Sequence, residues 1–182
     1  MLLKTFFPFG LSVSWQHAAQ LQCKNEELST WLLDTGSLTE RLEAISTQFS
    51  VELLGQGKLP LDRSEKLLLN SEDTEQWQIR EVILYGDGVP WVFARSVLPV
   101  ELCSTSLANL GNKPLGKRIF NDPSFLRSEF EVGELKTHPL TQRSSNDQTL
   151  YARRSLFTFD GSSVLVAEAF LPDCPCYKTR FD

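Results

Sequence analysis

Arg80, Arg95 and Glu168 stand inside runs that otherwise read as buried β-strand. Arg80 shares a strand face with Val82 and Leu84, Arg95 with Phe93 and Val97, and Glu168 with Val166 and Phe170. A charge placed in an apolar strand is costly unless it is paired or hydrogen-bonded. Active sites exploit such burial to tune ionisable groups. Guanidiniums gathered near a carboxylate would recognise a small anion and offer one acid–base or hydrogen-bonding group to it. Bland readings stand beside this one. Glu168 could pair with Arg153 or Arg154, or face water on an edge strand, and Arg95 could pair with a neighbouring carboxylate.

Two β-hairpins must position these groups. Residues 77–99 form two runs rich in β-branched and aromatic residues around Gly86-Asp87-Gly88, and Asp-Gly is a strong two-residue turn signal. With Asp87-Gly88 as the turn, Gly86 pairs with Val89. Arg80 then lies opposite Arg95 on one face. Like charges directly opposite are destabilising, so that register asks for an anion between them. A longer loop would change the register. Residues 156–172 repeat the pattern around Asp160-Gly161. Aligning the turns sets Ala94 on Ala167, Arg95 on Glu168 and Pro99 on Pro172, and the second turn sets Glu168 opposite Arg153.

Short helices frame the hairpins. Helix is expected over Glu26–Leu33, and a capping-box pattern, Ser37-Leu38-Thr39-Glu40, opens another. Pro114 suits the first turn of a helix over Leu115–Phe120. The N–H groups near Leu38 and Leu115 are donors at positive dipole ends, where a carboxylate is welcome. Further helical pieces are expected at Gln16–Gln22, Asp62–Leu68 and Ser104–Leu110. Strands are expected at Phe49–Leu54, ended by Gly55-Gln56-Gly57, and at Ser128–Leu135. Residues 136–149 read as polar loop. Hairpins and short helices without βαβ alternation predict an antiparallel α+β domain.

The length of 182 residues suits one domain. The net charge of −5, without a basic stripe, argues against nucleic-acid binding. Cys23, Cys103, Cys174 and Cys176 show neither disulfide-framework nor zinc-finger spacing, so free thiols in a reducing cytoplasm are expected. No apolar run is long enough to span a membrane. Phosphate-loop and nucleophile-elbow motifs are missing. His17 and His138 read as ordinary polar residues.

Taken in order, Trp31-Leu32-Leu33, Ser37-Leu38-Thr39, Trp77-x-x-Arg80-Glu81-x-x-Leu84, Asp87-Gly88-x-Pro90-Trp91 with Arg95 and Pro99, Pro114-Leu115-Gly116 and Glu168-x-Phe170-Leu171-Pro172 resemble the bacterial chorismate lyase family. The likeness spans roughly residues 25 to 172. It implies a six-stranded antiparallel sheet with helices and an internal ligand pocket under two helical flaps. The implied reaction removes pyruvate from chorismate to give 4-hydroxybenzoate for ubiquinone synthesis, with no cofactor and no metal. Carried over by residue, Arg80 would bind the ring carboxylate with the backbone N–H groups of Leu38 and Leu115. Glu168 would hydrogen-bond the ring hydroxyl, and Arg95 would serve the second carboxylate in the inner cavity. Leu38 stands where some members carry Met, which leaves a backbone contact intact.

One domain over residues 1–182 is therefore expected, with 1–20 and 173–182 peripheral. Its partners would be chorismate and 4-hydroxybenzoate, without nucleic acid or membrane. A cytoplasmic monomer fits. The alternative from another class is a non-catalytic anion-binding module, like the effector domain of bacterial helix-turn-helix repressors. The pairing of Arg80 with Glu168 favours the lyase.

Overall fold

Both Asp-Gly turns form as expected. Asp87 and Gly88 have φ of 52° and 78°, and Asp160 and Gly161 have 47° and 77°. Positive φ at both central residues is the turn geometry whose twist matches paired strands. In this computed structural model the described residues are 7–22, 25–71, 77–104, 107, 113–120, 122–135 and 148–178. The first hairpin is β3 (Trp77–Gly86) and β4 (Val89–Pro99), and the second is β7 (Tyr151–Phe159) and β8 (Ser162–Phe170). They join side by side through β4 and β8. On the outer flanks lie β2 (Phe49–Lys58), β6 (Glu131–Glu134) and the two-residue strands β1 (Gln16–His17) and β5 (Leu126–Arg127).

All pairings are antiparallel, in the order β1-β6-β7-β8-β4-β3-β2 with β5 on β7. Among the described residues the sheet therefore has eight strands rather than six. The excess is the pair of two-residue strands, too short to leave a period-two pattern in sequence.

The helices are α1 (Glu26–Leu32), α2 (Leu38–Ile45), α3 (Arg63–Leu69), α4 (Val100–Ser104) and α5 (Leu115–Phe120). Asn25 caps α1, Ser37 caps α2, and Asp62 with Glu65 makes a full capping box on α3. α4 follows directly on Pro99, and of the helix expected at Ser104–Leu110 only Ser104, the last residue of α4, and Leu107, in a turn, are described; 105–106 and 108–112 lie outside the described residues, as do Cys23 and His138. Gln16–Gln22 is strand followed by a single 3-10 turn, Ala18–Gln20. Only Glu131–Glu134 of the strand expected at Ser128–Leu135 is assigned to β6, while Leu135 makes an isolated bridge to Val13.

β2 runs through Gly55-Gln56-Gly57 instead of ending there, with a bulge between Leu53 and Gly55. A Cβ on Gly55 would lie 2.2 Å from the Phe7 ring. Glycine is used here for close approach, not for a break.

A second bulge decides the site. Gly86 pairs with Val89 and Tyr85 with Pro90, but Leu84 pairs with Val92, so Trp91 has no partner on β3. Pro90 has no N–H for the ladder, and proline in a central strand marks a bulge. A Cβ on Gly86 would lie 2.0 Å from the Trp91 ring, so the extra residue lays its indole over a glycine. From there on the register is displaced by one residue. Arg80 pairs with Ser96, and Arg95 pairs with Glu81. The expected Arg80–Arg95 apposition does not occur, because a one-residue slip sends every following side chain to the other face. The second hairpin has no bulge, and Arg153 lies opposite Glu168 as expected.

Each face carries its own core. On one, Leu28, Trp31, Leu32, Leu38 and Leu42 of α1 and α2 pack on Val82, Leu84, Val92 and Phe170, while Leu102, Leu115 and Ile119 pack on Leu98, Phe157 and Val164. Fully burying one such side chain stabilises by about 1.5–3 kcal/mol. On the other face, Phe9, Leu11, Val13 and Trp15 cover Ile83, Phe93 and Ala169. The described part of the N-terminal stretch thus packs on this core with its apolar side chains partly buried. In the described part of the tail Cys174 and Cys176 are buried, and Tyr177 accepts from the Tyr151 N–H at 2.9 Å. Phe9, Leu11, Val13 and Trp15 alternate with Gly10, Ser12 and Ser14, a period-two pattern legible in sequence, whereas the tail carries no such pattern.

Candidate active site

Between the α1–α2 core and the α4–α5 core the sheet is left uncovered, and a cavity opens there. Arg80, Val82, Ala94, Ser96, Arg153 and Glu168 form its floor, and Thr39, Leu115 and Gly116 its roof. The roof elements are the two flaps. They meet where a Cβ on Gly116 would lie 3.1 Å from Thr39 Oγ1 and where Lys117 Nζ pairs with Glu43 at 2.7 Å.

Arg80 is 1% exposed. It donates from Nη1 to Gln56 Oε1 at 3.2 Å and from Nη2 to the Lys113 carbonyl at 3.0 Å. Both acceptors are neutral, and among the described residues no carboxylate meets it. Burial holds its pKa below the usual guanidinium value. An uncompensated buried cation in a cavity has strong preference for an anionic ligand.

Arg153 is the second buried cation. Its Nε donates to Glu168 Oε2 at 2.7 Å, and its Nη1 donates to the carbonyls of Trp31 and Asp34, each at 2.9 Å. The ion-pair reading of Glu168 is therefore correct as to partner, and the pair itself lines the cavity. The flaps are anchored alike. Arg153 holds the α1–α2 turn by its carbonyls, and Arg80 holds the residue two before α5 by its own. Asp34 in that turn is half-buried, which alone would raise its pKa, but the Gly36 N–H and Arg41 bring it below the usual value.

Leu115 lines the cavity as the first residue of α5. Leu38 begins α2, with its side chain in the core and the adjacent Thr39 in the lining. Both N–H groups belong to a first helical turn, where no intrahelical acceptor exists.

Arg95 does not reach this cavity. It lies on the opposite face, donating from Nη1 to Glu81 at 2.8 Å and from Nε and Nη2 to Glu65 at 2.7 and 3.1 Å. Glu81 also accepts from the N–H groups of Phe9 and Gly10. Burial pulls the Arg95 pKa down, but the bonds to Glu65 and Glu81 outweigh it and raise it. The placement of Arg95 at a second carboxylate is thus corrected: the Pro90–Trp91 bulge turns it away, and two carboxylates satisfy it.

Arg127 and Phe130 line the cavity and were not singled out in sequence. Arg127 sits in a strand of two residues, without periodicity to flag it. Burial and then repulsion from Arg153 lower its pKa.

A roofed cavity on an antiparallel sheet, with buried guanidiniums and one carboxylate, defines a small-anion pocket on an α+β fold. The same fold occurs in the effector domain of PhnF from Mycobacterium smegmatis, with TM-score 0.55 and 13% identity over 76% of this chain and 90% of that one. It occurs also in a GntR family transcriptional regulator from Bacillus cereus, with TM-score 0.56 and 11% identity over 73% and 98%. These likenesses are of fold alone.

The chain belongs to the chorismate lyase family, which it matches over residues 11–180. A protein of Pseudoalteromonas atlantica named "Probable chorismate pyruvate-lyase" is 40% identical, covering 97% of this chain and 95% of its own. One of Idiomarina loihiensis with the same name is 38% identical, covering 95% and 92%. No helix among the described residues is long and apolar enough to cross a membrane.

Proposed function

We propose that the roofed cavity is the active site of a chorismate pyruvate-lyase, with Arg80 and Glu168 as its reacting-end residues. The observation that carries this is Arg80: buried, facing the cavity, and among the described residues bonded only to neutral oxygens. A ring carboxylate supplies the charge it lacks. The backbone N–H groups of Leu38 and Leu115, one from each flap, complete that carboxylate's shell. Glu168, oriented by Arg153, receives the ring hydroxyl.

The chemistry needs little more than position. Chorismate carries two carboxylates, a ring hydroxyl and an enolpyruvyl ether. Breaking the C3–O bond releases the enolpyruvyl group, the hydrogen lost from C4 ends on that group to make pyruvate, and the ring aromatises to 4-hydroxybenzoate. The aromatic product supplies much of the driving force. The chain fixes the reactive conformer and stabilises charge on the departing group. Apolar walls from Val82, Leu84, Ile119 and Phe157 exclude water and strengthen both effects.

We read the protein further as cytoplasmic, which suits the free thiols of Cys103, Cys174 and Cys176, and as a monomer. Its size is checked by light scattering. The test of function is direct: incubation with chorismate should yield 4-hydroxybenzoate and pyruvate in equal amounts. Glu168→Gln should slow this by more than the roughly tenfold that about 1.4 kcal/mol represents. Unchanged turnover in Glu168→Gln removes Glu168 from the site. Binding of 4-hydroxybenzoate without any turnover favours the effector-like module instead.

A further inference from the structure

Two buried hydroxyls on the cavity floor have no role in the site described so far. Ser96 and Ser155 line the cavity and are each 5% exposed. Neither side chain has a hydrogen-bond partner among the described residues. Among those residues no side-chain oxygen or nitrogen sealed from solvent lacks a partner, so both hydroxyls open onto the cavity. A buried hydroxyl without a partner carries a desolvation cost that an acceptor on a ligand offsets.

The strand register fixes where the two lie. Arg80, Ser96, Val166 and Ser155 stand abreast on β3, β4, β8 and β7. The next row toward the first Asp-Gly turn is Val82, Ala94, Glu168 and Arg153. Neighbouring strands are about 4.8 Å apart, so the serines stand about 10 Å apart with Val166 between them. A ring with its carboxylate on Arg80 and its para hydroxyl on Glu168 crosses these rows obliquely. Ser96, Val166 and Ser155 lie on one side of that line. Val82, Ala94 and Leu84 lie on the other and offer no side-chain donor.

We propose that Ser96 and Ser155 form the subsite for the enolpyruvyl group at ring C3, which lies over Val166 with one hydroxyl on either side. This inference rests on the lyase reading of the cavity. The carbon bearing the ring hydroxyl has two ring neighbours, one facing each side of the Arg80–Glu168 line. The enolpyruvyl group carries one ether and two carboxylate oxygens, all of them acceptors. The serine side offers donors to them and the Val82 side does not, so the pair decides which edge of the ring faces which way. As the C3–O bond breaks, negative charge gathers on the departing oxygen, and a donor already in place beside it stabilises that charge. The product keeps its contacts with Arg80 and Glu168 and has no group left for the serines, so the pair distinguishes substrate from product.

The experiment reads substrate and product separately in Ser96→Ala, Ser155→Ala and the double variant. Calorimetry follows 4-hydroxybenzoate and the unreactive 3-(carboxymethoxy)-4-hydroxybenzoate, which adds an ether and a carboxylate beside the ring hydroxyl. Steady-state kinetics follow chorismate. In each single variant the affinity for the ether carboxylate and kcat/KM for chorismate should fall by about tenfold or more, as loss of a hydrogen bond to a charged group implies. The double variant should fall further, and the single variants carry the test if it does not fold. Affinity for 4-hydroxybenzoate should stay within about threefold of the parent in all of them. Ser96→Thr keeps the donor and should stay near the parent, although it changes the packed volume more than removal of one oxygen does. Equal weakening of the two ligands, or parent-like values for both serine-to-alanine variants, overturns the subsite while parent turnover leaves the lyase reading standing. A parent protein without turnover sinks the lyase reading and the subsite with it.

Discussion

Glu81 and Arg95 face each other across the central hairpin with a 2.8 Å hydrogen bond, on the side of the sheet away from Arg80. Arg80 and Glu81 are adjacent in sequence, so one strand serves two unlike chemistries. One face holds a cation that lacks a carboxylate, and the other holds a cation with two.

The Arg95 cluster is therefore scaffold. Arg95→Met would leave Glu65 and Glu81 buried without their cation. Removing one partner of a buried pair costs about 3–5 kcal/mol. Urea denaturation should show a loss of that order, while 4-hydroxybenzoate affinity of the folded fraction stays near the parent value. Loss of product affinity with stability intact would return Arg95 to the site.

Arg80 should behave in the opposite way. Its bond to a buried carboxylate contributes about 1.5–3 kcal/mol, so Arg80→Met should weaken 4-hydroxybenzoate and chorismate alike by roughly 10- to 150-fold. Removing an uncompensated buried cation also relieves a desolvation cost. Ligand-free Arg80→Met should therefore be far less destabilised than Arg95→Met in paired melts. A larger loss in Arg80→Met contradicts this.

The flaps are clasped by Lys117 and Glu43, a half-exposed pair bridging α5 and α2. Exposed pairs contribute about 0–1 kcal/mol, so Lys117→Ala should speed product release by no more than about fivefold. Release of 4-hydroxybenzoate, followed by stopped-flow displacement, should quicken likewise with added salt in the parent but not in the variant. A salt response that survives in Lys117→Ala assigns the effect elsewhere.

Tyr177 gives the alkaline limit. Burial raises its phenol pKa well above the usual value, while its hydroxyl donates to the Phe170 carbonyl at 3.1 Å. The folded chain then keeps a proton that the unfolded chain releases near pH ~10. Its contribution is complete below that pH and is lost as pH rises above it, at about 1.4 kcal/mol per pH unit. Tyr177→Phe should flatten the fall of unfolding free energy between pH 10 and 12 (, roughly one proton's worth). An unchanged slope would show that Tyr177 ionises alike in both states.

The sequence by itself determined the hairpins, their Asp-Gly turns, and the face on which Arg80 and Glu168 lie, because a period of two and a turn with positive φ are local properties. It also determined the Glu168–Arg153 pairing, since the second hairpin runs from turn to site without interruption. The cap of α2 and the start of α5 were local in the same way. Only the tertiary structure decided the fate of Arg95. The cue was present, a proline at position 90 in what becomes a central strand, but whether the extra residue falls at Pro90–Trp91 depends on an indole finding Gly86 beneath it. Arg127 was invisible for a related reason. Its strand is two residues long, and its place in the cavity comes from lying against β7, a neighbour about thirty residues away in the chain. Local rules fix which way a side chain points from its own strand. Register across strands, and which distant groups share a cavity, are set by packing between elements.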